Sequence, residues 1–98
     1  MKLNISAQVR EKLEKKHGVT ENEIRQCFEN REGGFLEDIR EEHQTDPPTQ
    51  WFVAETNKRR KLKVVFIARQ TKDGIRIAIR TAYSANADEI RIYEKFGK

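Results

Sequence analysis

The chain has one cysteine, Cys27, two prolines, both in Pro47-Pro48, and no apolar run long enough to cross a bilayer. A lone cysteine cannot close an internal disulfide and fits a reducing compartment. No early apolar run resembles a signal peptide, so a cytoplasmic location, with no membrane partner, is expected. The two histidines, His17 and His43, stand 26 positions apart, and with a single cysteine they offer no ligand spacing. Neither a bound metal nor a cofactor is therefore expected. The absence of a glycine-rich phosphate loop, a Gly-x-Ser-x-Gly elbow and a dinucleotide fingerprint leaves no signature of NTP-dependent, serine-hydrolase or Rossmann chemistry. There is no repeat, linker or low-complexity tract. Ninety-eight residues make one domain, with 37% charged and 36% hydrophobic residues. At that length a single core forms without disulfide or metal, under a highly charged surface.

What is present is an uneven charge distribution. Residues 57–80, NKRRKLKVVFIARQTKDGIRIAIR, hold nine Lys or Arg and one acid, Asp73, a net charge of +8. Residues 1–56 carry −4 and residues 81–98 are neutral. The whole-chain charge of +4 is thus one basic segment on an acidic or neutral background. Because that segment also has the most strand-like apolar pattern, it reads as a β-hairpin with a positive field, and a polyanion is its natural ligand.

Local signals divide the chain. Ser6 caps a helix that carries Val9 and Leu13 at i, i+4 and runs to His17, where Gly18 supplies the left-handed stop. Thr20-Glu21-Asn22-Glu23 is a capping box opening a second helix, whose buried stripe is Ile24, Cys27 and Phe28 and which ends at Gly33-Gly34. Phe35–Arg40 alternates as a short strand, followed by a polar loop over 41–49. Gln50–Thr56, Lys61–Arg69 and Ile75–Thr81 read as three further strands, the last two joined by a tight turn at Asp73-Gly74. Asn86-Ala87-Asp88-Glu89 opens a last helix that should bury Ile90, Tyr93 and Phe96. The expected fold is α+β: two N-terminal helices, a four-stranded antiparallel sheet and a C-terminal helix, with the helices on one sheet face.

Strand alternation then assigns faces. Ile75, Ile77 and Ile79, with Leu62, Val64 and Phe66, should face the helices, leaving Lys61, Lys63, Arg76 and Arg80 on the other face. Phosphate contacts from such a face make affinity fall by about one log unit per log unit of salt for each contact. Trp51, one strand away, is a candidate base-stacking platform. A plainer reading is that these cations only keep the surface soluble and block edge pairing, and that Trp51 is core.

Several short motifs carry a family resemblance: Lys16-His17-Gly18-Val19, Trp51-Phe52-Val53-Ala54, Arg60-Lys61-Leu62-Lys63-Val64-Val65, Ile79-Arg80-Thr81-Ala82, and Glu89 with Tyr93-Glu94. Together they resemble BrnT-type toxins of type II toxin–antitoxin modules. The resemblance implies a RelE-like fold and a metal-independent endoribonuclease that blocks translation, with RNA and a cognate antitoxin as partners. Where that family usually has Ser-Ala-Arg after the last strand, this chain has Thr81-Ala82-Tyr83, a phenol in place of a cation.

Metal-independent RNA cleavage needs a base for the 2′-OH, an acid for the leaving 5′-oxygen, and cations for the phosphorane. Arg60 and Arg80 suit the last role, Tyr83 that of proton donor, and His43 and Glu55 acid–base roles. Lys58, Arg59, Lys61, Lys63, Arg76 and Trp51 are the candidate RNA-binding residues. His17 is read as a cation favoured at a helix C-terminus, and Cys27 as core. A non-catalytic nucleic-acid-binding module, or a protein-interaction module using the same basic face, stands as the alternative.

Overall fold

The computed structural model describes residues 2–39 and 45–97. The three helix starts lie where the capping residues set them. Ser6 Oγ accepts from the Val9 backbone N–H, and both the Thr20–Glu23 and Asn86–Glu89 boxes close reciprocally. These caps open α1 (Ala7–Lys12), α2 (Glu21–Asn30) and α3 (Ala87–Phe96). The first helix does not stay α-helical: Leu13–His17 is wound as a π-turn, which Gly18 ends at φ 60°, ψ 40°.

The sheet corrects the sequence expectation. It is five-stranded and mixed rather than four-stranded and antiparallel, in the order β1-β5-β4-β3-β2. The strands are β1 (Lys2–Asn4), β2 (Leu36–Glu37), β3 (Thr49–Glu55), β4 (Lys61–Thr71) and β5 (Gly74–Ser84). β1 lies parallel to β5, while the other pairs are antiparallel. The expected Phe35–Arg40 strand forms only at Leu36–Glu37, and Arg40 lies outside the described residues. Between β4 and β5, Gly74 takes φ 109°, a conformation open to glycine without a Cβ penalty.

The helices pack on both sheet faces. Phe28 of α2 meets Phe52 and Phe66 at ring-centroid distances of 4.7 and 5.5 Å, and Cys27 Sγ lies 3.5 Å from the Ala54 carbonyl. Phe52, Ala54, Leu62, Val64, Phe66, Ile79 and Ala82 share that face by register and are buried. α3 crosses the opposite face, where Tyr93 stacks near Trp51 and Glu89 reaches Lys63 and Tyr83. Two expected core residues are open. Ile75 is 51% exposed at the hairpin end, and Phe96 is 63% exposed on the outer side of α3.

The close of α3 explains Gly33. Tyr93 Oη donates to the Gly34 carbonyl at 2.7 Å, and Gly34 N donates to the Gly97 carbonyl at 2.6 Å. A Cβ on Gly33 would stand 2.6 Å from Tyr93 Oη and 2.7 Å from the Gly97 oxygen, so the segment admits no side chain there.

The ladder also skips one residue. Val65 pairs with Thr81 and Phe66 with Ile79, leaving Arg80 as the extra residue of a bulge. That bulge resets the alternation, so Ala82 rather than Thr81 is buried after Ile79.

Candidate functional site

The N-terminal end of β4 meets the C-terminal end of β5 where the first helix stops and α3 starts. Lys63 and Tyr83 are register partners on the α3 face. Because the capping box turns Glu89 back toward Asn86, one carboxylate collects three donors. Asn86 N–H donates to Glu89 Oε1 at 3.0 Å, Tyr83 Oη donates to Oε2 at 2.8 Å, and Lys63 Nζ lies 3.0 Å from Oε2. Lys63 and Glu89 are 14% and 15% exposed at the side chain. Burial alone would raise the Glu89 carboxyl, but the hydrogen bonds from Asn86, Tyr83 and Lys63 outweigh it and hold it below its ordinary value. Lys63 Nζ also sits 4.5 Å over the Trp51 ring and 5.9 Å from the Tyr83 ring. The His17 ring packs against Tyr83 at a centroid distance of 5.6 Å. His17, Tyr83, Glu89, Lys63 and Trp51 therefore form one contiguous cluster with two titratable rings, a carboxylate and an ammonium.

The pairing has a pH signature. A carboxyl held lower in the folded chain than in the unfolded one adds stability above its unfolded value, about 4.5. That stability disappears as pH falls through the lowered folded value. Urea unfolding between pH 6 and pH 3 should show Glu89→Gln losing part of the wild-type acid destabilisation. Parallel curves for the two proteins would contradict this pairing.

Arg60 holds this corner together. Its guanidinium donates to the carbonyls of His17 (3.0 Å) and Gly18 (2.8 Å), to Ser84 Oγ, and to Glu23 at 3.3 Å. A cation on the last carbonyls of a helix is favourable for both hydrogen bonding and dipole, and here it ties the first helix to the β3–β4 turn. Arg60 is thus committed to protein partners.

The turn itself carries strain. Thr56 Oγ1 accepts from the backbone N–H of Lys58 and Arg60, and this wraps residues 56–60 so that Arg59 sits at φ 65°. A non-glycine residue there costs about 1 kcal/mol. Arg59→Asn should raise the unfolding free energy by about 0.5–1 kcal/mol, since asparagine tolerates this region. A lower urea midpoint would contradict that assignment. Lys58 and Arg59 are exposed on the turn. Arg59 and Lys61 also line a cleft of about 540 Å³ with Asn30, Glu55, Ile90 and Glu94.

The other sequence candidates are spread out. Glu55 is half-buried and faces Lys61 across the β3–β4 ladder. Arg80 is exposed at the bulge, beside a groove of about 580 Å³ shared with Asn4 and Lys12. Arg76 is exposed at the far end of the sheet. His43 lies outside the described residues. Trp51 is half-buried between Tyr93 and Lys63. Lys61, Lys63 and Arg76 do share the face opposite α2, but α3 covers that face at Lys63.

His17 and Glu89 were not among the sequence candidates: packing against Tyr83 identifies His17, and the bonds from Tyr83 and Lys63 identify Glu89. Burial pushes the Cys27 thiol up to about 12, with the Glu23 carboxylate adding to the shift, so it stays protonated and inert. Among the described residues no group of three or more His, Cys, Asp or Glu could hold a metal, and no helix is long and apolar enough to cross a membrane. Compared with protein-family models and with curated proteins, the chain finds no match.

Proposed function

We propose that the chain binds single-stranded RNA on the basic β4–β5 side of the sheet and cleaves it without a metal, as the toxin of a type II toxin–antitoxin module acting in the cytoplasm. The observation that carries this reading is the His17–Tyr83–Glu89–Lys63 cluster standing next to the strained, basic 57–61 turn. The α+β order, with two helices before strands β2–β5 and one after them, supports the RelE-like reading in part, and the parallel β1 lies outside the expected arrangement.

In this reading His17 and Tyr83 are the proton-transfer pair. One takes the 2′-OH proton as the 2′-oxygen attacks phosphorus, and the other supplies the proton to the departing 5′-oxygen. Lys63 places positive charge beside the phosphorane, and Glu89 orients both Tyr83 and Lys63. The cognate antitoxin is a protein that covers this corner and the basic turn.

A second reading, binding without cleavage, is favoured by a different observation. Arg60 and Lys63, which would stabilise the transition state, already spend their charge on Glu23, Glu89 and helix carbonyls. The experiment is incubation of purified protein with 5′-labelled single-stranded RNA in EDTA. The toxin reading predicts fragments ending in 2′,3′-cyclic phosphate. The second predicts salt-sensitive retention of intact RNA.

A further inference from the structure

The far end of the sheet carries a row of cations. Lys2 is the register partner of Arg76, and Arg76 is the register partner of Arg69. The three side chains therefore leave the same face of three adjacent strands, β1, β5 and β4. With strands about 4.8 Å apart, the row spans roughly 10 Å. All three residues are exposed, and none has an ion-pair partner among the described residues. The neighbouring pairs on that face, Thr71 with Gly74 and Ile67 with Ala78, supply no acid; Asp73 lies beyond them in the turn. Like charges placed directly opposite on a sheet destabilise it. A row of three without compensation among the described residues is explained by a ligand that supplies the negative charge.

We propose that the Lys2–Arg76–Arg69 row is a second contact for the RNA backbone, which sets the length of strand the protein engages. This rests on the RNA reading above. From the Lys63–Tyr83 pair to the Arg69–Arg76 pair the sheet advances by six residues of β4, about 20 Å at 3.3 Å per residue. At about 3.4 Å per stacked nucleotide that distance corresponds to roughly six nucleotides. Thr81 and Ala78, both half-buried, line β5 on this face between the two ends. Phosphates of a strand leaving the cluster along β5 then reach Arg76 and its neighbours. A continuous polyanion fits a bare row of cations better than an apolar partner does, because the pairs flanking the row offer no large exposed apolar side chain.

The test uses fluorescein-labelled 2′-O-methyl oligouridylates of 4 and 12 nucleotides, which lack the attacking hydroxyl and report binding independently of cleavage. Wild type should gain affinity from the short to the long oligomer. Arg69→Gln/Arg76→Gln should collapse that gain, weaken 12-mer binding about tenfold at 0.1 M salt, and lower the slope of log K against log salt by about 1.4. Arg69→Lys/Arg76→Lys, with the charge kept, should restore the slope. The double Gln variant should be no less stable than wild type. If it binds both oligomers as wild type does, or loses both equally, the row is not a length-setting contact. Tighter binding of polyglutamate than of the 12-mer would make the row a protein surface and overturn the proposal. If the 12-mer binds as predicted while ordinary RNA stays uncut, the row stands and the cleavage reading falls.

Discussion

Replacing Phe66 with alanine is expected to lower the unfolding free energy by about 3–5 kcal/mol. Phe66 is fully buried and packs against three other rings, Phe28 at 5.5 Å, Phe35 at 4.9 Å and Phe52 at 6.0 Å, all at tilts near edge-to-face. Its removal loses the transfer free energy of the ring and leaves a cavity that this rigid cluster fills poorly. It also sits at the β4 position where the ladder shifts past Arg80, so the ring anchors the sheet where backbone pairing is interrupted. Since small domains are stable by only about 5–15 kcal/mol, the variant should melt some 15 °C or more below wild type. Phe66→Leu keeps much of the volume and should cost roughly 1–2 kcal/mol. Equal melting temperatures for Phe66→Ala and wild type would contradict the placement of this ring at the centre of the core.

The second large effect is chemical. If His17 and Tyr83 transfer the protons, removing either imidazole or phenol should slow RNA cleavage by about 10²–10⁴-fold, the usual contribution of general acid–base catalysis. His17→Ala removes a ring that packs on Tyr83 while leaving the His17 carbonyl, on which Arg60 depends, in place. Its cost in stability should therefore be small, so a loss of rate is readable as chemistry. Tyr83→Phe keeps the ring and removes the hydroxyl that donates to Glu89. Lys63→Ala is a poorer probe. It leaves the Glu89 carboxylate largely buried without its cation, and the resulting destabilisation obscures any change in rate.

Much of the fold was legible because its signals are local. The Ser6, Thr20 and Asn86 caps are side-chain-to-backbone bonds within three residues, and Gly18 and Gly74 took the positive φ their turns required. The alternation in β4 and β5 gave two strands, though both run further than the pattern indicated, to Thr71 and Ser84. β1 was missed for a physical reason. Three residues show no period, and their partner is Arg76–Ala78, more than seventy positions away. Alternation also assumes an unbroken ladder, so the Arg80 bulge escaped it. The stripe of α3 identified Tyr93, but α3 was placed on the same sheet face as the other helices; it covers the second face instead, and that turned Lys63 from an open cation into a half-hidden ion pair. His17 was read correctly as a helix end, and its contact with Tyr83, sixty-six residues later, has no local trace.

Cleavage of RNA by the His17–Tyr83–Glu89–Lys63 cluster is the proposed step to test. Its most direct test is the single-turnover rate of cleavage of a 5′-labelled, unstructured RNA in EDTA, compared between wild type and His17→Ala matched for folding by circular dichroism. Cyclic-phosphate products are expected from wild type, with a rate lower by at least 10²-fold in the variant. Intact RNA with wild-type protein, or equal rates for the two, would contradict it.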